Sequence, residues 1–413
     1  MTTPLEELLP GTRRALLHRI AVAQSEGRAP SLVAAVVRDG RAVWHGARTC
    51  VDGHAPDENV QYRIGSITKT FTAVLVLRLR DEGALDLSDV LGDQPALHPP
   101  GRRFHYSNPG YSVLGALVEE LRGAPWEEVL RREVLEPLSL DRTSARPVAP
   151  QAGGWAVHPW ADVMLPEPAE DFGRMAAAGQ LWSTSGDLAR FAAFLVRGDD
   201  RVLSAETLKE MRTPAAPAEL TDLVDGGTYG LGMRIENLGG RVLVGHSGSV
   251  PGFLAGLTIS VADDVAAVVL ANCTSGPMVT QVAADLVRIV AEAEPRIPEP
   301  WRPLRDFDRA VLELAGQWCW GTSPFALRVT TDGDLSLEPL SGGGRRSRFR
   351  TNGDGTWTGL EGYFAGETLR AVRRPDGAVD HLDLGSFVFT RQPYDEQAEV
   401  PGGVDAQGWR GIG

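Results

Sequence analysis

The chain has 413 residues, of which 43% are hydrophobic and 23% are charged, and its formal net charge is −13 at neutral pH. This composition is that of a globular protein long enough for two or three domains. The negative charge excludes a nucleic-acid backbone as an expected partner. The sequence contains no apolar run of 18 residues, the length that predicts a membrane span, and we expect no membrane partner.

Two further features of the sequence limit the function. The three cysteines, Cys50, Cys273 and Cys319, lie far apart and predict reduced thiols, and the eight histidines show no zinc spacing, so we expect neither a metal nor a cofactor. The first ten residues carry acidic side chains before any arginine, and no apolar stretch follows them. This is not the pattern of a signal peptide, and we expect a cytoplasmic protein.

An amphipathic helix is predicted over residues 5–25, and a β-hairpin and a second helix follow it. Residues 31–38 and 41–48 predict two strands joined by Asp39-Gly40, a pair typical of tight hairpin turns. A short extended run over 60–64 then leads into an apolar helix, which we expect to end at about Asp81 because a glycine follows shortly after.

Ser66 and Lys69 lie at the start of this helix, and their spacing of three residues puts a hydroxyl and an amine on one helix face. Only two of the 41 cationic residues are lysines, Lys69 and Lys209. A lysine, unlike an arginine, can lose its proton when it is desolvated. We therefore predict Ser66 as a nucleophile and Lys69 as its activator. The alternative is a helix N-cap at Ser66 and a solvated Lys69, which this spacing alone would favour.

Further polar groups follow along the chain. Tyr106 and Asn108 alternate along a short extended segment, so both side chains can face one site. Residues 141–180 are rich in proline, glycine and alanine and predict a long ordered loop, in which Trp155 is a candidate to line the pocket.

From Tyr229 the apolar period changes to two, which predicts an antiparallel sheet followed by a helix. The predicted strands are 229–235, 241–245, 253–261 and 265–271, and the helix is 278–292. The second strand ends in Gly245-His246-Ser247-Gly248-Ser249, where a histidine between glycine and serine favours a site over the core. A proline-rich linker is predicted at 294–304.

Residues 305–395 predict a separate all-β domain, an up-and-down barrel or a sandwich. Its predicted strands are 325–330, 335–340, 347–351, 356–364, 368–373 and 379–390. Residues 396–413 predict a flexible tail.

Three motifs stand in order along the chain: Ser66-x-x-Lys69, Tyr106-Ser107-Asn108 and His246-Ser247-Gly248. Together they resemble the serine β-lactamase and penicillin-binding-protein-like family, which includes class C β-lactamases, D,D-peptidases and related esterases. The resemblance implies an α/β (α+β) catalytic domain over residues 1–293, with an antiparallel sheet, flanking helices and a helical lobe. The all-β domain resembles a lipocalin-like barrel appended to some of these enzymes.

The resemblance also implies residue roles. Ser66 attacks an acyl carbonyl, Lys69 takes its proton, and Tyr106 acts as a phenolate or a proton relay for the leaving group. Asn108 binds the substrate amide and orients Lys69. The backbone N–H groups of Ser66 and Ser249 form the oxyanion hole.

The third motif departs from the family's usual Lys-Thr-Gly. His246 replaces the lysine, which weakens the case for binding a β-lactam carboxylate, while Ser247 and Gly248 line the substrate strand. Whether His246 acts chemically or positions the substrate stays open. A second departure is the short segment between the first two motifs, residues 83–105, which lacks a His-Thr-Ser-Gly-like turn.

The whole chain most resembles the penicillin-binding-protein-type thioesterases of non-ribosomal peptide biosynthesis, and residues 155–162, 178–184 and 391–395 support this. Such enzymes take a peptidyl thioester from a peptidyl carrier protein onto the serine and release it by head-to-tail macrolactamisation. An intracellular esterase or D-stereospecific peptidase or amidase is the alternative, and a non-catalytic small-ligand binder is the second. The acyl substrate, the choice between cyclisation and hydrolysis, and the oligomeric state stay open.

Overall fold

An antiparallel sheet of seven strands forms the centre of the N-terminal unit in this computed structural model. The structure describes residues 8–85, 104–215, 227–298, 300–304, 306–330, 333–341 and 344–393. The chain divides into two compact units, Met1–Ile297 and Pro298–Gly413, and this boundary lies inside the segment where the sequence predicts a linker. The predicted tail and residues 86–103 of the shortened segment lie outside the described residues.

Numbered in chain order, the strands of the large sheet all pair antiparallel with their neighbours, in the order β2-β1-β11-β10-β9-β8-β7. Their bounds are β1 Ser31–Arg38, β2 Arg41–Thr49, β7 Thr228–Tyr229, β8 Arg234–Leu238, β9 Arg241–Val250, β10 Phe253–Ser260 and β11 Val265–Ala271. Two small sheets pair β3 Tyr62–Arg63 with β6 Trp182–Ser183 and β4 Gly154–Val157 with β5 Met164–Glu167.

The predicted first hairpin is confirmed. Arg38 pairs with Arg41, and the two residues between them, Asp39 and Gly40, have φ angles of 53° and 74°. Positive φ at both central positions gives a turn whose twist matches that of the strands. The turn therefore fixes the register of β1 and β2.

Helices cover both faces of the large sheet, so alternate residues of each central strand enter different cores. Val33 and Ala35 of β1 pack with α2 and α6, whereas Leu32 and Ala34 pack with α1 and α8. The helices of this unit are α1 Pro10–Glu26, α2 Thr68–Asp81, α3 Asn108–Arg122, α4 Trp126–Leu130, α5 Ala176–Gly179, α6 Ser185–Arg197, α7 Ala205–Met211 and α8 Val279–Ala293. Residues 68–77 of α2 are all buried, which makes α2 a core helix.

The C-terminal unit contains a closed barrel of eight strands, which confirms the expected lipocalin-like architecture. Each strand pairs antiparallel with the next, and the pair Cys319–Thr390 closes the barrel. The strands are β12 Gly316–Trp320, β13 Ser323–Val329, β14 Leu335–Pro339, β15 Ser347–Thr351, β16 Thr356–Gly359, β17 Thr368–Arg373, β18 Val379–Leu384 and β19 Phe387–Thr390, preceded by α9 Arg309–Leu312. Apolar side chains from the strands fill its interior.

Several strand predictions differ from the structure. Strand β9 continues to Val250, past the end predicted at residue 245, and the segment predicted at 356–364 ends as a strand at Gly359 and continues into a 3-10 turn, Gly362–Phe364. The segment predicted at 229–235 is interrupted, because Gly230 and Gly232 separate β7 from β8 and Gly232 has a φ of 76°. The segment predicted at 379–390 is a hairpin that turns at Gly385, φ 62°. The first barrel strand, β12, was not predicted.

No helix in the described part of the chain is long and apolar enough to cross a membrane. The same residues contain no cluster of three or more His, Cys, Asp or Glu side chains able to hold a metal ion.

Candidate active site

Ser66 lies in a 3-10 turn, Gly65–Ile67, that leads directly into α2. It is partly exposed, although the residues on both sides of it are buried. The Nζ atom of Lys69 lies 2.9 Å from its Oγ. A reachable hydroxyl at the start of a helix, with an amine in hydrogen-bond contact, has the geometry of an activated nucleophile.

Lys69 is almost fully buried, with an exposed fraction of 1%. Its Nζ also donates a hydrogen bond to the carbonyl oxygen of Ala178 in α5, at 2.7 Å. No carboxylate of the described residues forms an ion pair with it. Burial without a counter-charge lowers the pKa of Lys69 to about 8. A neutral Lys69 can keep its bond to Ala178 and turn its lone pair toward the Ser66 hydroxyl.

Tyr106 lies beside the Ser66–Lys69 pair and interacts with the Ser66 hydroxyl. Its ring centroid is 5.0 Å from the Nζ of Lys69. Burial raises the pKa of the Tyr106 phenol, and the interaction with the Ser66 hydroxyl acts in the opposite direction. Tyr106 is therefore a neutral phenol at rest, which suits a proton relay better than a standing phenolate.

His246 in β9 lines the same site, with its ring centroid 6.1 Å from that of Tyr106. Its Nδ1–H donates to the carbonyl oxygen of Ser247 at 2.6 Å, which leaves Nε2 as an acceptor. Burial lowers the pKa of His246 to about 4, and the charges of Lys69 and Arg234 act in the same direction, against the bond to Ser247. The imidazole is thus neutral at pH 7 and supplies no fixed cation.

The backbone of β9 runs against the nucleophile turn. A Cβ on Gly65, which has a φ of 49°, would lie 2.9 Å from the nitrogen of Ser249, and a Cβ on Gly248 would lie 3.1 Å from the nitrogen of Ser66. The two N–H groups that the resemblance assigns to an oxyanion hole therefore belong to adjoining backbone segments. The side chains of Ser247 and Ser249 are exposed.

Position 248 requires a glycine because the backbone of the nucleophile turn passes very close to it, and not because of its φ angle. A Cβ there would lie 1.9 Å from the carbonyl oxygen of Ile64. We expect Gly248→Ala to lower the free energy of unfolding by about 1–3 kcal/mol or more and to reduce kcat/KM, because β9 must move away from Ser66. Urea denaturation and steady-state kinetics measure both effects. Gly153→Ala, whose new Cβ makes only an ordinary contact at 3.8 Å, is the matched control, and equal stability and activity of the two variants would contradict this interpretation.

Two candidate residues make no described side-chain contact with this cluster. Asn108 is exposed at the first residue of α3, and among the described residues its amide makes no hydrogen bond to Lys69. Trp155 is half-buried in the β4–β5 hairpin, where its carbonyl accepts a hydrogen bond from the backbone of Thr274. It makes none of the hydrogen bonds or ring contacts described around Ser66.

The structure adds three groups that the motifs did not indicate. The first is the Ala178 carbonyl, which belongs to a stretch already noted in the family resemblance. The ring of Tyr111 in α3 lies 5.6 Å from the Nζ of Lys69. Tyr229 stacks on Phe104 at 4.3 Å and lies 6.2 Å from the ring of Tyr106. These aromatic rings give the site an apolar wall and contribute to the desolvation of Lys69.

A family model described as Beta-lactamase matches residues 16–94 and 88–292, more than half of the chain. The chain belongs to the β-lactamase family. Members of this family are serine hydrolases. A second family model, Domain of unknown function (DUF7586), matches residues 307–391, which include the barrel.

A penicillin-binding protein is among the curated relatives of this chain. Penicillin-binding protein 4 of Amycolatopsis lactamdurans is 28% identical over 217 residues, which cover 50% of this chain and 56% of that protein. The chain spans about half the length of the curated relatives it matches.

Two solved structures share the fold over nearly the whole chain. The octameric penicillin-binding protein homologue from Pyrococcus abyssi has a TM-score of 0.60 and 22% identity, covering 91% of this chain and 99% of that one. SurE has a TM-score of 0.56 and 24% identity, covering 92% and 99%. These likenesses extend through the barrel as well as the β-lactamase-like unit.

Proposed function

We propose that this β-lactamase family chain forms an acyl-enzyme on Ser66 from a peptidyl thioester and releases the peptide by head-to-tail macrolactamisation. The observation that carries the acyl-transfer part is the 2.9 Å contact between Ser66 Oγ and the buried Nζ of Lys69. A lysine with its pKa lowered to about 8 is partly neutral near pH 7 and can act as a base.

The first half-reaction uses the groups around Ser66. The Lys69 amine takes the hydroxyl proton as Oγ attacks the thioester carbonyl, and the N–H groups of Ser66 and Ser249 stabilise the resulting oxyanion. The C–S bond then breaks, and the proton passes from Lys69, directly or through the Tyr106 phenol, to the leaving thiolate. Lys69 is in hydrogen-bond contact with Ser66, and the Tyr106 ring lies 5.0 Å from its Nζ, which supports these two side chains as the proton path.

The second half-reaction runs the same proton path in reverse. The peptide's own N-terminal amine attacks the Ser66 ester, its proton passes to Tyr106 or Lys69, and Ser66 Oγ leaves with a proton as the macrolactam forms. The aromatic wall of Tyr106, Tyr229 and Phe104 favours the amine over water by desolvating the ester.

One observation supports a thioester donor over a carboxylate-bearing peptide or β-lactam. His246 is neutral, so the third motif offers no fixed positive charge to a carboxylate beside the scissile bond. A thioester on a carrier protein has no such carboxylate. SurE, which shares the fold, has also been solved with D-Leu, which supports the choice of a donor that ends in a D-residue. A peptidyl carrier protein is the partner we propose to deliver it.

The acceptor experiment tests the cyclase part of this proposal. The full chain receives linear peptidyl thioesters with a D-residue at the C-terminus and a free N-terminal amine, on a carrier protein and on a small thiol. We expect mainly a product lighter than the free acid by one water, measured by mass spectrometry. The matched control is the same peptide with an acetylated N-terminus, which can give only the acid.

Other outcomes identify the alternatives. Free acid as the main product at every peptide length would support a hydrolase. No reaction with any thioester, together with cleavage of simple esters or D-aminoacyl amides, would replace the thioesterase by an esterase or D-stereospecific amidase of the same family. Equal rates with the carrier-bound and the small-thiol donor would remove the carrier protein as a partner.

A further inference from the structure

Three aromatic rings of the barrel unit surround the guanidinium group of Arg345. The Cζ atom of Arg345 lies 4.6 Å from the ring centroid of Trp320, 4.5 Å from that of Tyr363 and 4.6 Å from that of Phe387. The Phe387 centroid is 5.1 Å from that of Trp320 and 5.7 Å from that of Tyr363. We call Trp320, Tyr363 and Phe387 the aromatic cage.

The cage lies at one end of the barrel. Trp320 ends β12, Tyr363 lies between β16 and β17, and Phe387 begins β19, while Arg345 lies between β14 and β15. Alternate connections of an up-and-down barrel lie at the same end, so four connections bring these residues together. Phe364, which is buried, packs against Tyr363 and Phe387 with centroid distances of 5.1 and 5.2 Å. The cage is therefore a surface site over a filled core.

The aromatic faces of the cage and the exposed acids on the same connections favour a positively charged occupant. Aromatic faces attract a cation through their quadrupoles, and an arginine also stacks on them. Arg345 forms no ion pair with any described carboxylate, so the rings are its main partners. Two exposed acids belong to the same connections. Glu361 comes directly before the turn that contains Tyr363. The carboxylate of Glu367 lies beside Gly385, since its Oε2 is 3.0 Å from the position that a Cβ added to Gly385 would take.

Two of the three rings of the cage are accessible from solvent. Trp320 is 39% exposed and Tyr363 is 60% exposed. Arg345 is on a connection and not in a strand, so it can leave without breaking the barrel's hydrogen bonds. We propose that the aromatic cage is a binding site for an arginine side chain of a partner peptide, and that Arg345 occupies this site when the peptide is absent. This site is independent of the chemistry proposed at Ser66.

The test removes the internal occupant and supplies the ligand group. N-acetyl-arginine amide is titrated into the full chain and into Arg345→Ser, and binding is measured by calorimetry and ligand-observed NMR. We expect Arg345→Ser to bind at least about tenfold tighter than the unsubstituted chain, because no internal guanidinium competes, and Trp320→Ala in that background to abolish binding. Arg346→Ser is the matched control, since Arg346 makes none of the ring contacts, and it should bind as the unsubstituted chain does.

If a folded Arg345→Ser chain does not bind arginine amide, the proposal is wrong, and the packing of Arg345 on the three rings is only an internal structural contact. Binding that survives Trp320→Ala, or that norleucine amide reproduces, would overturn it as well. If Arg345→Ser fails to fold, the unsubstituted chain is titrated while the indole N–H signal of Trp320, identified by Trp320→Phe, is followed. A saturable shift of that signal is expected, and an unchanged signal at saturating arginine amide contradicts the proposal.

Discussion

Lys69→Arg is expected to lower kcat/KM by about 10³-fold on any accepted acyl donor. An arginine at this position keeps its proton and cannot take the one from Ser66. The matched control is Lys209→Arg, because Lys209 is the other lysine of the chain and is exposed in α7. We expect this control to keep full activity. A Lys69→Arg enzyme as active as the control would remove Lys69 from the base role.

The pH dependence provides a second measurement on the same residue. Activity requires the neutral amine, and burial lowers the pKa of Lys69 to about 8. Log kcat/KM should therefore rise with a slope of one below pH 8 and level off above it. A profile that is flat between pH 6 and 9 in an enzyme limited by acylation would contradict a titrating Lys69 at this site.

Ser66→Ala is expected to lower turnover by about 10⁴-fold or more, because the nucleophilic Oγ is lost while the fold is kept. The substitution removes one partly exposed oxygen at the start of α2 and leaves the helix core untouched. Thermal unfolding by circular dichroism checks the fold. Ser25→Ala, at an exposed serine of α1, serves as the control for a general serine effect, and near-native turnover by Ser66→Ala would place the chemistry elsewhere.

Local spacing predicted the pair at the centre of the site. Ser66 and Lys69 are three residues apart at a helix start, so the helix geometry itself brings Oγ and Nζ together. The same holds for the Asp39-Gly40 turn, whose two positive φ values are encoded by adjacent residues. Local geometry of this kind can be predicted from the sequence because it depends on residues that are close together in the chain and little on tertiary contacts.

The groups that complete the site are set by tertiary contacts. The Ala178 carbonyl reaches Lys69 from 109 residues away and carries no side-chain signal, since every residue has a carbonyl. Tyr229 lies beside Tyr106 because β7 pairs with β8, and no local sequence pattern specifies this pairing. The reason for Gly248 was likewise hidden, because the backbone that excludes a Cβ there belongs to Ile64.

The motif order also suggested contacts that the structure does not show. Asn108 was expected to orient Lys69, and the hydrogen bonds of Lys69 instead go to Ser66 and Ala178. In the barrel, an apolar alternation over 379–390 predicted one long strand, since a single Gly385 turn interrupts the pattern only briefly. Alternation indicates strand character well and strand ends poorly.

The role of Ser66 as a nucleophile activated by Lys69 can be measured on the intact protein. Its most direct measurement is labelling of the full chain with a fluorophosphonate, followed by mass mapping of the modified peptide. We expect one adduct, on Ser66, that forms faster as the pH rises toward 8 and that is lost in Lys69→Arg but retained in Lys209→Arg. No adduct on Ser66 would favour a non-catalytic ligand-binding protein, and equal labelling of Lys69→Arg would remove Lys69 as the activator of Ser66.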